Sequence, residues 1–403
     1  MIDRQYNFDI ICLSTNHWTG LPTSKQHLMS VLAASRRVLY VDPPTDLFSA
    51  LGRRRRWAKF LGLRQVQERL WVLSPIALSV ASDPDWAFSY YERLSRRILL
   101  ASARLGLNRP VVWSFAPEHA GCSRALAGVL SVYQAADEPA TKSRNPARTT
   151  EIEREHIRNC DIVFVVSETL LRAREQLGNV HRLPNAADRR HYARVLTGDP
   201  GAAIETFAEA LRSPRLTPRE FGSGGRPSIV FGGAAYGWFD VELLTDVAAS
   251  RPDWDFLLVG PLSRRLLTTR LPGNVTAVGR RSYDDFVWYV ASADVGILPL
   301  REGESARNCD PIVMYEFLLC GKPMVATDFP AAREHGTMVR TATGAAAFTE
   351  QIEQALEVDA TGDSVRARME FGFSCTWEER ASEAVGHVAA LLESRTKAGG
   401  GRS

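Results

Sequence analysis

The chain has 403 residues, a formal net charge of +3, 45% hydrophobic residues and 24% charged residues. This length exceeds what one hydrophobic core usually holds, so we expect two or three domains, and the near-neutral charge argues against nucleic acid as a partner. Six scattered cysteines without a C-x-x-C pair, no signal-peptide pattern and no long apolar run predict a cytoplasmic protein with free thiols.

Short apolar runs alternate with helical patterns in the first half of the chain. The runs Asp9–Ser14 and Val38–Val41 predict buried parallel strands, and the segment 26–34 between them has helical periodicity. Further strands are predicted at Pro110–Ser114, Leu130–Gln134 and Asp161–Val166. Strands that alternate with helices predict a parallel sheet covered by helices on both faces.

A second alternating series begins at Ser228, after a segment rich in Gly, Pro, Ser and Thr. Its predicted strands are Ser228–Gly232, Phe256–Gly260, Val275–Gly279 and Val295–Pro299, and its predicted helices are 241–249 and 283–291. We divide the chain into an N-terminal Rossmann-like domain (1–196), a linker (197–225), a C-terminal Rossmann-like domain (226–375), a final helix (376–394) and a disordered tail (395–403). Because ligands bind at the carboxyl ends of strands in such sheets, a cleft between two such domains is the expected active site.

The segment from Asn308 to Thr327 is the most informative in the chain. Asp310 and Pro311 predict a capped helix start, Gly321 predicts its end, and the apolar residues between them include one carboxylate, Glu316. A helix N-terminus attracts an anion, and a carboxylate further along the helix can accept hydrogen bonds from a diol. The pattern therefore favours a nucleotide site, with ordinary capping and a surface-seeking glutamate as the alternative interpretation.

The order and spacing of several motifs resemble glycosyltransferases of the GT-B architecture, most of all glycosyltransferase family 4 and related bacterial groups. The matching pieces are Ser24–Leu28, Pro184–Asp188, Phe231–Gly233, Arg251–Phe256, Val259–Pro261, Asp294–Pro299, Asp310–Thr327 and Trp377–Arg380. The resemblance implies an α/β fold with two Rossmann-like domains whose parallel sheets face a central cleft, and a C-terminal helix that packs back across it. It also implies a retaining transfer from a nucleotide sugar in the C-terminal domain to an acceptor in the N-terminal domain.

The resemblance also implies which residues bind the donor. Glu316 matches the second glutamate of the family's paired motif, which binds ribose, whereas the first glutamate is absent and its position is held by Asn308; Asn308 and Asp310 are the candidates to replace its contact with the donor sugar. The family's Arg and Lys after the first C-terminal strand are absent, and the candidate replacements are Arg280, Arg281, Arg301 and Arg307. The predicted donor-binding residues are Gly232, Gly233, Tyr236, Arg280, Asp310, Pro311, Ile312, Tyr315 and Glu316. The predicted catalytic residues are His119, Arg307 and Asn308, with Arg307 preferred for charge stabilisation because it precedes the helix.

Acceptor contacts are predicted in the N-terminal half, on the first loop and helix and after a strand. The candidates are His17, Trp18, Lys25, His27 and Asp137. The basic run Arg53–Arg56 either contacts an anionic membrane surface, which would suit a lipid-linked acceptor, or forms a solvated loop. The sequence Asp253-Trp254-Asp255 matches a metal-binding D-x-D, but it precedes a strand, so we interpret it as a turn and predict no obligatory metal.

Together these patterns predict a cytoplasmic, metal-independent glycosyltransferase without an obligatory cofactor, located at the inner membrane face if the basic run binds lipid. The donor is a UDP-, GDP- or dTDP-sugar. The acceptor is a saccharide, a lipid-linked saccharide or a small natural product with a free hydroxyl or amine. A degenerate nucleotide-sugar-binding protein without turnover and a GT-B nucleotide-sugar epimerase are the alternatives.

Overall fold

The computed structural model describes residues 8–46, 62–78, 83–126, 130–212, 216–222, 225–357 and 362–400. The basic run Arg53–Arg56 lies outside these ranges. The chain forms two compact units. It passes from the first unit to the second after Pro184 and returns to the first after Trp377. The first unit contains the chain up to Pro184 together with the part from Glu378, and the second unit is Asn185–Trp377.

The first unit is built around a mainly parallel sheet. Its strands are β1 (Ile10–Leu13), β2 (Val38–Val41), β3 (Thr45–Asp46), β4 (Gly62–Gln67), β5 (Leu70–Ser74), β6 (Ile76–Ala77), β7 (Val111–Ser114), β8 (Leu130–Ala135), β9 (Ile162–Val165) and β10 (Val180–Arg182). Eight of them form one sheet in the order β10-β9-β8-β7-β1-β2-β5-β4, while β3 pairs with β6. The central strands β1, β2, β7 and β9 are buried along their whole length, as a sheet covered on both faces requires.

Helices cover both faces of this sheet. They are α1 (Ser24–Leu32), α2 (Pro84–Arg104), α3 (Ala120–Leu126), α4 (Pro146–Asn159) and α5 (Glu168–Arg174). The chain returns to this unit with its last helix, α16 (Trp377–Gly400), in which the His387 ring contacts that of His181 with ring centroids 4.0 Å apart. This helix continues through residues 395–400, which the sequence assigned to the tail. None of the described helices is both long and apolar enough to cross a bilayer.

The strand order of the first unit reverses at β1. Strand β2 pairs with one edge of β1, and β7 pairs with the other edge of β1. In open α/β sheets the crevice at such a reversal, beyond the carboxyl ends of the strands, is where ligands bind.

The second unit has the doubly wound topology of a dinucleotide-binding fold. Its strands are β11 (Ser228–Gly232), β12 (Asp255–Val259), β13 (Val275–Gly279), β14 (Val295–Leu298), β15 (Met324–Thr327) and β16 (Val339–Ala342). All pairs are parallel, and the spatial order is β13-β12-β11-β14-β15-β16, which reverses between β11 and β14. The first strand of this unit thus lies beside the fourth, and the crevice between their ends is the expected ligand position.

The helices of the second unit surround this sheet. They are α6 (Arg189–Thr197), α7 (Ile204–Arg212), α8 (Val241–Ser250), α9 (Arg264–Thr268), α10 (Tyr283–Ser292), α11 (Glu304–Asn308), α12 (Ile312–Leu319), α13 (Pro330–Glu334), α14 (Ala345–Glu357) and α15 (Gly362–Ser374). Helix α7 lies inside the segment interpreted as a linker, and it is held to the unit by Phe207, which is fully buried. The parallel sheets of both units confirm the predicted α/β, Rossmann-like fold class.

Candidate active site

Helix α12 brings the most informative segment of the sequence to the end of β11. The helix is almost wholly buried, and its Val313 packs over the last residue of β11, Gly232, together with Phe286 of α10. A Cβ at Gly232 would lie 2.5 Å from the Phe286 ring and 3.0 Å from the Val313 side chain. Only glycine therefore lets the N-terminal turns of both helices approach this strand end, which is where a ligand of the second unit is expected.

Glu316 lies in the second turn of α12 as a buried carboxylate. Its side chain is within 2.7 Å of the Tyr283 hydroxyl, which donates to it, and the residue is only 4% exposed. Tyr192 of α6 lies beside Tyr283, with ring centroids 6.2 Å apart. Burial, and next the negative charge of Glu316, raise the pKa of both phenols well above the ordinary value. Both tyrosines therefore keep their protons, and the Tyr283 hydroxyl orients the carboxylate of Glu316.

Asp310 does not cap this helix, contrary to the sequence-based prediction. The N-cap position is Pro311, and no side chain caps the helix there. The Asp310 carboxylate instead accepts hydrogen bonds from the Asn185 backbone N–H, at 2.6 Å, and from the Tyr315 hydroxyl, at 2.9 Å. Two donors from inside the second unit hold the carboxylate away from the capping position, because a buried charge needs such partners. The Tyr315 side chain, which was predicted to bind the donor, is thereby engaged with Asp310.

Two of the four candidate arginines are already paired within the second unit. Arg281 contacts Glu220 at 2.9 Å and the Tyr289 hydroxyl at 3.2 Å, and Arg301 forms an ion pair with Glu242. Arg280 and Arg307 are exposed, and no carboxylate of the described residues pairs with either guanidinium. Arg307 lies in the last turn of α11, four residues before Pro311. These two arginines are therefore the ones available to an anionic ligand.

The remaining predicted donor residues lie on the loops around β11 and α12. Gly233 adopts φ +127°, a conformation that favours glycine, and its N–H donates to the Val259 carbonyl. Tyr236, further along the same loop, is 47% exposed, whereas Ile312 begins α12 and is partly buried. Asn308 is buried, and its side-chain amide donates to the Glu304 carbonyl at 2.9 Å.

His119 in the first unit is buried and neutral. It ends a 3-10 turn after β7, its Nδ1 accepts from the Phe115 N–H at 3.2 Å, and its ring contacts that of Tyr91. Burial, and next the neighbouring His156 and Lys25, lower its pKa to about 3. An imidazole with so low a pKa is a weak base, so only a hydrogen-bonding role for His119 is compatible with this environment.

The predicted acceptor residues of the first loop converge on Asp42, at the end of β2. The Trp18 backbone N–H donates to Asp42 at 2.8 Å, and Nδ1 of His17 lies 3.7 Å from the same carboxylate. Ser74 also donates to Asp42, at 2.6 Å. No local pattern around Asp42 predicts this contact, because its partner Trp18 lies 24 residues earlier in the chain.

The other acceptor candidates differ in exposure and pairing. Asp137, which follows β8, forms an ion pair with Lys142. His27 and Lys25 lie in the first turns of α1, and both are buried. The Lys25 ammonium lies 5.4 Å from the centre of the Phe115 ring.

The aspartates of the D-x-D sequence are held by arginines of the second unit. Arg251 pairs with Asp253 at 2.8 Å, and Arg226 lies 3.2 Å from Asp255. Trp254 between them is buried, and the Arg251 guanidinium lies 3.8 Å from the centre of its ring. This segment is therefore a packed turn before β12. In the described ranges no three His, Cys, Asp or Glu side chains cluster in a way that could hold a metal ion.

The two units have α/β, Rossmann-like folds, and comparison with known proteins narrows the class. Residues 227–358 match the sequence family described as glycosyl transferases group 1. Over 147 residues the chain is 31% identical to a Bacillus subtilis protein named as a teichuronic acid biosynthesis glycosyltransferase, TuaH, and this alignment covers 34% of the chain and 35% of that protein.

The chain is also similar to a second curated protein and to a solved structure. A Corynebacterium glutamicum protein, named as a GDP-mannose-dependent monoacylated alpha-(1-6)-phosphatidylinositol monomannoside mannosyltransferase, is 26% identical over 200 residues, which are 46% of this chain and 48% of that protein. The chain thus spans about a third to a half of the curated relatives it matches. The crystal structure of Anabaena HepE in complex with UDP and glucose superposes with a TM-score of 0.65 at 15% identity, over 95% of this chain and all of that one.

These comparisons confirm the predicted resemblance to GT-B glycosyltransferases. The structural similarity covers nearly the whole chain and shows the fold, whereas the sequence similarity is concentrated in part of it. The family match and both curated relatives agree with the predicted enzyme class, a transferase of glycosyl groups.

Proposed function

We propose that this protein is a glycosyltransferase that moves a sugar from a nucleoside diphosphate sugar to a hydroxyl or amine of an acceptor. The observation that carries the proposal is the family match over 227–358, which includes β11, α12 and Glu316. The names of both curated relatives describe the same kind of reaction, which supports it.

In this proposal the donor nucleotide binds at the strand reversal of the second unit. The carboxylate of Glu316 accepts hydrogen bonds from the ribose hydroxyls, and its buried position makes such charged hydrogen bonds strong. The first N–H groups of α12, together with Arg307 and Arg280, interact with the diphosphate. A bound UDP in HepE and a GDP-mannose requirement in the name of the mannosyltransferase support a nucleotide sugar, and the base stays open among uridine, guanosine and thymidine.

The proposed reaction breaks the bond between the sugar C1 and the phosphate oxygen and joins C1 to the acceptor oxygen or nitrogen. The acceptor proton leaves with the released nucleoside diphosphate. Negative charge grows on the diphosphate in the transition state. Arg307, which precedes α12, would therefore stabilise the transition state more than the bound donor. Retention of the anomeric configuration is proposed from the resemblance to family 4, and the acceptor is a saccharide, a lipid-linked saccharide or a small natural product.

One observation favours the alternative of a nucleotide-sugar-binding protein without turnover. Asn308 stands where the resemblance places a glutamate, and its amide is engaged with the Glu304 carbonyl. A neutral amide forms weaker hydrogen bonds with sugar hydroxyls than a carboxylate does, so it would stabilise the transition state less.

Measuring sugar transfer together with nucleotide binding distinguishes a glycosyltransferase from a binding protein without turnover. The full-length protein is incubated with UDP-, GDP- and dTDP-sugars and a mixture of saccharide and lipid-linked acceptors, and nucleoside diphosphate release and product mass are recorded. The proposed function predicts release of one nucleoside diphosphate together with a product that is heavier by one sugar. Tight binding of a nucleotide sugar without release, for every acceptor, would support the binding protein instead.

A further inference from the structure

Lys25 is a buried cation that has no counter-ion within the described part of the chain. The residue is 7% exposed, and among the described residues no carboxylate or hydrogen-bond acceptor lies within bonding distance of its ammonium. Its nearest favourable contact is the Phe115 ring, 5.4 Å from the ammonium to the ring centre. A charge removed from water without a partner is strongly unfavourable, so proteins retain one mainly where a partner binds.

The acidic group that acts on Lys25 already has a partner. Asp137 contributes to the electrostatic environment of Lys25, but its carboxylate pairs with Lys142. Burial lowers the pKa of Lys25, while Asp137 partly opposes this shift. Asp137 is therefore not available as a counter-ion of Lys25.

The position of Lys25 is that of a ligand site in an open α/β sheet. Lys25 is the second residue of α1, and Phe115 follows the last residue of β7. Cys12, whose thiol also influences the Lys25 ammonium, is the third residue of β1. Strands β1 and β7 are the pair between which the order of the first sheet reverses, so Lys25 lies at the crevice of this unit.

Helix α1 adds a second favourable feature for an anion. The helix has nine residues, and although a capping box at Thr23 engages the Gln26 N–H, the N–H groups of Ser24 and Lys25 have no intrahelical acceptors. The positive end of its dipole therefore acts at the same place as the Lys25 ammonium. The nearby His119 is neutral and the exposed Lys142 is paired with Asp137, so Lys25 is the cation at the first turn of α1.

We infer that the acceptor carries an anionic group, a phosphate or a carboxylate, and that this group pairs with the Lys25 ammonium at the first turn of α1. The inference rests on the proposed function, because it treats the crevice of the first unit as the acceptor site. It narrows the acceptor to a negatively charged compound and assigns Lys25 as the residue that selects it. A neutral analogue of the acceptor would leave the buried ammonium unpaired and would bind less tightly.

The test uses inorganic phosphate and acetate as probes of the full-length protein, at constant ionic strength set with chloride. The variants are Lys25→Met, which removes the charge but keeps the length, and Lys25→Arg, which keeps the charge. Arg104→Met is the matched control, because Arg104 is an exposed cation in the last turn of α2. Melting temperature is recorded against probe concentration, with and without saturating UDP so that binding at the donor site is recognised.

Phosphate or acetate is expected to raise the melting temperature of the wild type and of Arg104→Met but not that of Lys25→Met. Without a probe, Lys25→Met should be at least as stable as the wild type, since an unpaired buried charge has been replaced by an apolar side chain. Loss of the pair should weaken anion binding about thirtyfold or more, and Lys25→Arg should recover part of it. Equal anion responses in wild type and Lys25→Met, or no response in the wild type, would overturn the inference.

Two further probes identify the source of the anion. A Lys25-dependent response to glucose 6-phosphate but not to glucose indicates a soluble acceptor. A Lys25-dependent response to vesicles of phosphatidylglycerol but not of phosphatidylcholine indicates a lipid headgroup. Either outcome supports the inference.

UDP binding separates this inference from the proposed function. Lys25→Met should bind UDP, GDP or dTDP as the wild type does, because the donor residues belong to the second unit. Nucleotide binding without a Lys25-dependent anion response overturns the inference alone. A Lys25-dependent anion response without nucleotide binding counts against the proposed function.

Discussion

The Tyr283 hydroxyl donates a 2.7 Å hydrogen bond to the buried carboxylate of Glu316. The two residues are 33 positions apart, on α10 and α12, and both helices reach the end of β11. Glu316 is only 4% exposed, and the hydrogen bond from the phenol offsets part of the free energy lost when its carboxylate is removed from water. A carboxylate oriented in this way, at the strand reversal, is the feature on which the proposed donor site depends.

Replacement of Glu316 by Gln is expected to weaken nucleoside diphosphate binding by a factor of about 10 to 100. The reason is that a hydrogen bond to a charged group contributes roughly 1.5–3 kcal/mol. Calorimetric titration should use the nucleotide that binds best and its 2′,3′-dideoxy analogue. The wild type should prefer the natural nucleotide, and Glu316→Gln should bind the two almost equally.

Tyr283→Phe is the control for this substitution, because it removes the hydroxyl that contacts Glu316 but leaves the carboxylate. It should retain the preference for the natural ribose. If Glu316→Gln retained that preference as well, the ribose would contact other residues.

Arg307→Ala is expected to lower turnover about 100-fold, with little change in the binding of the donor ground state. Its guanidinium is exposed, has no carboxylate partner among the described residues and precedes α12, so it is available to the diphosphate when charge develops. Steady-state rates of nucleoside diphosphate release measure the effect. Arg301→Ala, which breaks a pair with Glu242, should change turnover only slightly, and equal rates in both variants would remove Arg307 from the reaction.

Gly232→Ala is expected to destabilise the protein by about 1–3 kcal/mol, because the added Cβ would overlap the Phe286 ring and press on Val313. Thermal unfolding of the second unit should show the loss, together with weaker nucleotide binding as α10 and α12 move. Gly237→Ala on the following loop is the matched control, since nothing lies within 4 Å of its added Cβ. Similar melting temperatures for the two variants would contradict the packing assigned to Gly232.

The buried histidines of the first unit predict a loss of stability in acid. Burial lowers the pKa of His119 and of His156 to about 3, whereas an unfolded histidine has a pKa of about 6.5. Between these values the unfolded chain binds more protons, so the free energy of unfolding is highest above pH 6.5 and falls as pH decreases towards 3. Each imidazole contributes up to about 1.4 kcal/mol per pH unit in this window.

Denaturant unfolding from pH 7.5 to pH 4.5 tests this dependence in the wild type and in His119→Asn. The asparagine oxygen can still accept from the Phe115 N–H but takes up no proton in this range. The difference in unfolding free energy between the two proteins should therefore change with pH in favour of the variant. A constant difference would show that His119 titrates normally in the folded protein.

The strands could be predicted from the sequence because buried parallel strands are continuous apolar runs with polar or glycine boundaries. Val38–Val41, Ser228–Gly232 and Val275–Gly279 have the predicted limits. Side-chain partners could not be predicted, because they come from distant segments. Asp310 has the local pattern of a helix cap, but its partner Asn185 lies 125 residues earlier.

The burial of Lys25 could not be predicted from the sequence either. Lysine is among the residues least often buried, and the amphipathic pattern of α1 gives no reason to place this one inside. Its burial follows from the contact of the first turn of α1 with Phe115, which lies 90 positions later in the chain. The sequence could therefore name Lys25 as an acceptor residue but could not indicate the charge that it would require of the acceptor.

The most direct test of the proposed transferase is a panel of nucleotides and nucleotide sugars. Melting temperatures of the full-length wild type and of Glu316→Gln are compared, and the same mixtures with acceptors are followed by mass spectrometry. The account predicts selective stabilisation of the wild type by one nucleoside diphosphate and its sugar, loss of most of that effect in Glu316→Gln, and a product that has gained one sugar. No stabilisation by any nucleotide, and no transfer to any acceptor, would contradict it.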